Sequence, residues 1–216
     1  MQVARELITR ANADTDYLTL AEAKQHLRVT ASSDDAYITS LISMALDTCE
    51  SYVGYSIRKA TVKYAFDGFT GGMGNVNSAN PYGMIDGNLL RLYSRILSIT
   101  SVKYVNSSNT VQTTTNWVNA PVKFGQYGMS IYFDSIPGSL TSDEVKLIVE
   151  VVEGFELASA TANDSDKFPA TIKHAALLLI GQYYDNRNSV IVGTNNAQIE
   201  LGFEYLLDKY RIVKFG

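Results

Sequence analysis

Apolar residues recur every three or four positions near both ends of the chain and every second position in the middle, and this change of period divides the sequence. Leu20, Ala23 and Leu27 share one helical face behind Thr19-Leu20-Ala21-Glu22. That quartet predicts a capping box, with the Thr19 hydroxyl accepting from the Glu22 amide and the Glu22 carboxylate accepting from the Thr19 amide. A second helix is predicted from Ser33-Asp34-Asp35, where short oxygen-bearing side chains can satisfy free amides and acids suit the positive helix end. It continues through Ile38, Leu41, Ile42, Ala45, Leu46, Cys49 and Val53 as one apolar stripe, and Gly54 stops it.

From Val62 the period shortens. Val62, Tyr64 and Phe66 alternate with Lys63 and Ala65 as a strand does. Residues 67–88 contain six glycines without an apolar repeat and read as an exposed loop. Strand signals resume at Leu89–Tyr93, Ile99–Val105, Met129–Asp134 and Val145–Val152, separated by turn-rich joins. Helix returns at Phe168-Pro169, with the proline in a first turn, and Ile172, Ala175 to Ile180, Tyr183 and Tyr184 cover nearly every face of it. Asp185 to Asn188 ends it, and a last short helix is expected over Phe203–Tyr210. The pattern predicts an α+β fold. Residues 1–60 and 168–216 form a helical core of about four helices, 61–153 an inserted antiparallel β subdomain carrying the glycine-rich loop 67–88, and 154–167 a linker loop.

The chain has 216 residues, room for one domain and an insertion, and its 46% hydrophobic content argues against global disorder. The net charge of −4 excludes a strongly basic nucleic-acid coat. The single cysteine, Cys49, forms no internal disulfide, and with two histidines the chain lacks the ligands of a Cys/His zinc cluster. Residues 1–16 lack the apolar centre of a secretory signal, and the longest apolar run, Ala175–Ile180, falls short of the roughly 20 residues that span a bilayer. A cytoplasmically made, non-membrane protein is expected.

Templates for chemistry fail on their physical requirements. The glycines at 68–74 lack the Gly-Lys-Ser/Thr and the helix start that would hold phosphate. Asp164-Ser165-Asp166 lacks the glycine and distal glutamate of a calcium loop. His26 and His174 read as packing or surface residues and Cys49 as a small core hydrophobe. Arg91, Arg95, Lys103 and Lys123 lie near tyrosines without forming a basic stripe, so sequence-specific nucleic-acid binding is not expected. No catalytic residue, metal site or cofactor is expected. The residues leave open a carbohydrate- or cell-binding β module, suggested by the Tyr- and Asn-rich middle, and a hydrolase whose site assembles from distant positions.

The helical ends add a resemblance. Leu20-Ala21-Glu22-Ala23-Lys24-Gln25-His26-Leu27-Arg28 followed by Asp34-Asp35-Ala36-Tyr37-Ile38-Thr39-Ser40-Leu41-Ile42 resembles the opening of the head–tail connector (adaptor) family of tailed bacteriophages. Tyr183-Tyr184-Asp185-Asn186-Arg187, and Tyr210-Arg211 near the end, resemble the family's closing helices. Gln182 stands where several relatives carry an aromatic residue or histidine. The resemblance implies a structural virion protein at the head–tail interface: a ring of identical subunits, commonly twelve, docked beneath the portal protein. Such a ring extends the channel through which double-stranded DNA passes without sequence-specific binding, and presents a platform to stopper or tail proteins. Stopper and tail-terminator roles are the neighbouring readings. Portal or intersubunit contacts are expected at Arg187, Tyr183, Tyr184, Tyr210, Arg211, Val213 and Phe215, and a docking loop at Gly71, Gly72, Met73 and Tyr82.

Overall fold

In the helical part, local chemistry sets the start of one helix and the end of another. A computed structural model describes residues 4–66, 83–86, 89–92, 94–115, 117–120, 129–134, 147–187 and 196–212. It divides into two compact units, Asn12–Arg58 with Phe155–Arg211, and Met1–Ala11 with Lys59–Gly154 and Ile212–Gly216. The first unit holds the helices α1 (Asp14–Tyr17), α2 (Leu20–Leu27), α3 (Asp35–Val53), α4 (Ala170–Asp185) and α5 (Asn196–Leu207).

Before α2, the Thr19 hydroxyl accepts from the Glu22 amide at 3.2 Å and Glu22 Oε2 accepts from the Thr19 amide at 2.9 Å, the capping box the sequence predicts. α3 ends at Gly54, whose φ of 88° is a left-handed conformation glycine adopts without a Cβ penalty. Its stripe of Ile38, Leu41, Ile42, Ala45, Leu46, Cys49 and Val53 is buried throughout and packs against α4.

Four helical expectations are corrected. Asp34 sits at the N-cap of α3 but its side chain makes no cap bond, because tertiary partners hold it instead. Pro169 stands one residue before α4 rather than inside its first turn, and α4 buries Ile172, Ala175, Ala176, Leu179 and Ile180 while Leu177 and Leu178 are half-buried, so it is not enclosed all round. α5 begins seven residues ahead of Phe203 and gives way to a 3₁₀ turn at Asp208–Tyr210, where the expected helix ran on.

Residues 154–167, expected as a linker, are tied down. The Glu156 amide donates to the Asp166 carbonyl and the Phe168 amide to the Glu156 carbonyl, both at 2.8 Å. Phe155 and Phe168 join an edge-to-face aromatic chain, Tyr17–Phe168–Phe155–Tyr210, with centroids 5.1, 6.2 and 6.1 Å apart.

The second unit contains β1 (Ala4–Arg10), β2 (Ala60–Phe66), β3 (Gly83–Asp86), β4 (Leu89–Leu92), β5 (Ile96–Val105), β6 (Val111–Thr113), β7 (Trp117–Ala120), β8 (Met129–Phe133) and β9 (Leu147–Glu153). They form a five-stranded sheet in the order β1-β2-β9-β5-β6 and a four-stranded sheet in the order β3-β4-β8-β7, with every pairing antiparallel. Alternation turns Val62, Tyr64 and Phe66 of β2 and Val149 and Val151 of β9 into a core shared with Leu90, Leu92, Ile131 and Phe133 of the smaller sheet. Across the other face of the large sheet, Glu6 pairs with Lys63 at 2.9 Å and Glu150 with Lys103 at 2.7 Å, a row of compensated charges.

Two further expectations are corrected here. Residues 4–10, read within the helical stretch 1–60, form β1. An edge strand with mostly exposed side chains leaves no hydrophobic alternation to read. The end of the glycine-rich stretch, Gly83–Asp86, is a strand because it pairs with β4, Met84 opposite Arg91 and Ile85 opposite Leu90. The remainder of that loop lies outside the described residues.

Candidate docking surface

Where α4 ends and α3 begins, four side chains converge. Asp34 Oδ2 accepts from the Tyr184 hydroxyl at 2.6 Å and from Arg187 Nη2 at 2.9 Å. The Arg187 guanidinium lies 4.6 Å from the Tyr37 ring centroid and 4.7 Å from that of Tyr184, within the range of a cation–π contact on both rings. The hydrogen bonds from Tyr184 and then Arg187 hold the Asp34 carboxyl below its ordinary range, and the bond to Asp34 pushes the Tyr184 hydroxyl up. Tyr183 joins from the neighbouring position: its carbonyl accepts from the Tyr37 hydroxyl at 3.4 Å and its hydroxyl lies 3.2 Å from Thr48 Oγ1. The result is a planar cation braced between two rings with half of its side chain exposed. Arginine and tyrosine are the residue types that dominate protein–protein contacts.

A second group surrounds Tyr52. Its hydroxyl donates to Asp208 Oδ1 at 2.6 Å, its ring meets Phe203 edge-to-face at 5.7 Å, and the Arg211 guanidinium stands 5.1 Å from its centroid. Tyr210 is buried against Phe155, so its ring is spent within the chain. Tyr205 in the same region is 81% exposed. The structure thus gathers Tyr183, Tyr184 and Arg187 at one place and Tyr210 and Arg211 at another. Val213, Phe215, Gly71, Gly72, Met73 and Tyr82 lie outside the described residues.

Sequence reasoning missed the residues that carry charge inward. Arg58 is almost wholly buried. It meets Glu50 through Nε at 3.1 Å and Nη2 at 2.9 Å, Asp14 through Nη1 at 2.6 Å, and Asp47. In the β unit, Glu153 has zero exposure and takes Arg5 and the Tyr64 hydroxyl, which also reaches Ser94 Oγ at 2.9 Å. Nothing in either local sequence marks a charge as interior.

The chemistry templates find no geometry in the described residues. Burial first, then the Glu50 charge, pushes the Cys49 thiol up to about 12, far from a nucleophile's range. His26 and His174 are exposed. Asp164 pairs with Lys167 at 3.0 Å inside a 3₁₀ turn, and among the described residues no group of three His, Cys, Asp or Glu is placed to hold a metal. Arg95 is buried and Lys103 is paired with Glu150, while Lys123 lies outside the described residues. No helix among the described residues is long and apolar enough to cross a membrane.

Residues 17–116 match the family model of phage gp6-like head-tail connector proteins. That segment is just under half of the chain, and over it the chain is similar to the head–tail connector family. No curated relative matches it by sequence. Among solved structures, a chain in the neck of an empty gene transfer agent particle, computed with C6 symmetry, is similar with a TM-score of 0.67 and 18% identity, over 99% of this chain and 97% of that one. A chain of the virion of a native gene transfer agent particle is similar at a TM-score of 0.65 and 19% identity, over 98% and 97%. A third, from the native neck computed with C12 symmetry, is similar at 0.64 and 17%, over 99% and 97%. The connector segment runs from α2 through β5 and β6, and the likeness of fold extends over almost the whole chain.

Proposed function

We propose that this chain is a structural, non-enzymatic subunit of a virion neck. Identical copies close a ring, commonly of twelve, beneath the portal protein, extend the DNA channel, and give the stopper or tail its attachment platform. The observation that carries the reading is the family match over residues 17–116, supported by a fold shared along the full chain with proteins of neck particles. Physical features agree with the task. A net charge of −4 suits a conduit wall that repels the DNA backbone and lets it slide. The Arg187 clamp offers a pre-ordered cation to a carboxylate on an adjoining protein, with the entropy of fixing it already met by Asp34, Tyr37 and Tyr184. Many modest contacts repeated around a ring sum to a firm joint.

Imaging particles made with and without this chain tests the reading. Wild-type particles are expected to show a ring of it between portal and tail, and particles lacking it to be heads without attached tails. Normal tailed particles without the chain, or its absence from purified virions, overturns the proposal. In particles carrying Arg187→Ala, ring occupancy beneath the portal is expected to fall while the isolated chain keeps its circular dichroism spectrum.

A further inference from the structure

The five-stranded sheet ends in two strands, β1 and β6, each with a strand partner on one side only among the described residues. Of the six large apolar side chains exposed among those residues, three sit on these edges: Leu7 (41%) and Ile8 (49%) on β1 and Val111 (52%) on β6. The sheet's outer face, by contrast, carries the compensated Glu6–Lys63 and Glu150–Lys103 pairs and offers little to a partner. We infer that neighbouring copies of this chain join edge to edge, β1 of one copy laid beside β6 of the next, so that the sheet continues from subunit to subunit. The inference rests on the ring reading above and says which surfaces close the ring.

A second copy is favoured over other occupants by symmetry. A ring needs two different, mutually complementary surfaces on every subunit. Opposite edges of one sheet supply them, since the N–H and C=O groups along one edge can pair with the C=O and N–H groups along the other. Five strands with antiparallel neighbours leave β1 and β6 running in the same direction, so the junction is a parallel pair. With β6 only three residues long, each junction is short and weak alone and gains strength through closure of the ring. The register shift between Leu7 and Thr9, and Arg5 turned inward to Glu153, blunt the β1 edge against indiscriminate pairing and leave Leu7 and Ile8 as its adhesive part.

Cysteines at Ile8→Cys and Val111→Cys test the contact in assembled particles. Within one copy these positions lie at opposite edges of five strands, roughly 19 Å apart at about 4.8 Å per strand, beyond the ~7 Å between Cα atoms that a disulfide can span. Native Cys49 is buried and does not compete. Mild oxidation is expected to yield a ladder of linked chains on a non-reducing gel, and neither single variant is expected to do so. Dimers from Ile8→Cys alone would mean twofold β1–β1 pairing and overturn the inference. A ring visible in particle images without any ladder overturns it too, and leaves the neck reading standing. Particles without a ring of this chain sink both. If the double variant fails to incorporate, hydrogen exchange on the wild type decides: amides of residues 4–10 are expected to slow when rings form, and unchanged exchange refutes the edge contact.

Discussion

Glu153 has no solvent contact, and Arg5 and Tyr64 are among the groups that offset the cost of burying its carboxylate. Replacing Arg5 by Met removes a charged partner of that buried carboxylate and is expected to lower unfolding free energy by up to about 3–5 kcal/mol. Arg5→Met combined with Glu153→Met is expected to recover most of the loss, because two apolar side chains need no partners. Urea titration of the four corners of this cycle checks both values. Cys49 gives a second test at this scale. Buried on α3 with its thiol pushed up to about 12, it is expected to ignore a thiol reagent in native buffer and to react fully once denaturant opens the helical unit. Residues whose role is set by near neighbours were legible in the sequence. Thr19 and Gly54 act through chemistry three or four positions away. Arg5, Arg58 and Glu153 were not, because their partners lie up to 148 positions off in the chain and hydropathy reads every charge as outward.

At the scale of elements the same division holds, with Asp34 on the border. Its position gives it the N-cap of α3, yet Tyr184 and Arg187, 150 and 153 residues later, hold its carboxylate. A capping rule cannot anticipate such competitors. Where no competitor intervenes the rule works, and Thr19→Ala is expected to destabilise the helical unit by about 1 kcal/mol in chemical denaturation. Three carboxyls, Glu22, Asp34 and Glu150, are held below their ordinary range. At Glu22 burial opposes ionisation, but the Lys173 pair and Thr19 together outweigh it. At Asp34 the hydrogen bond from Tyr184 leads, and at Glu150 that from Lys103. Their folded values lie below the unfolded ones, so this stabilisation is complete above the unfolded range near pH ~4 and is lost as pH falls through the folded values. The melting temperature is expected to drop on acidification below about pH 4, and Glu150→Gln to make the drop shallower. The long helices and central strands declared themselves through periodicity. The edge strand β1 did not, since a strand with little buried face writes little alternation into its residues.

For the whole molecule, chain order and spatial order part company. Each compact unit is assembled from separated stretches, and the β unit takes its first strand from residues 4–10, across the 47 residues (12–58) that belong to the helical unit. A fragment of residues 59–154 would lack β1 and leave Glu153 without Arg5. It is expected to unfold at lower urea than the same fragment with residues 1–11 joined to it, as far-UV circular dichroism would register. That arrangement was beyond any reading along the sequence, which sees the middle as self-contained. The pairing of β2 with β9 carries one more consequence. Ala60 opposes Glu153, so the way into and the way out of the long inserted stretch stand side by side, about 5 Å apart. A few residues of splice would reconnect the flanking stretches. Lineages, or engineers, could therefore trade this cassette for a longer or shorter one without rethreading the helices.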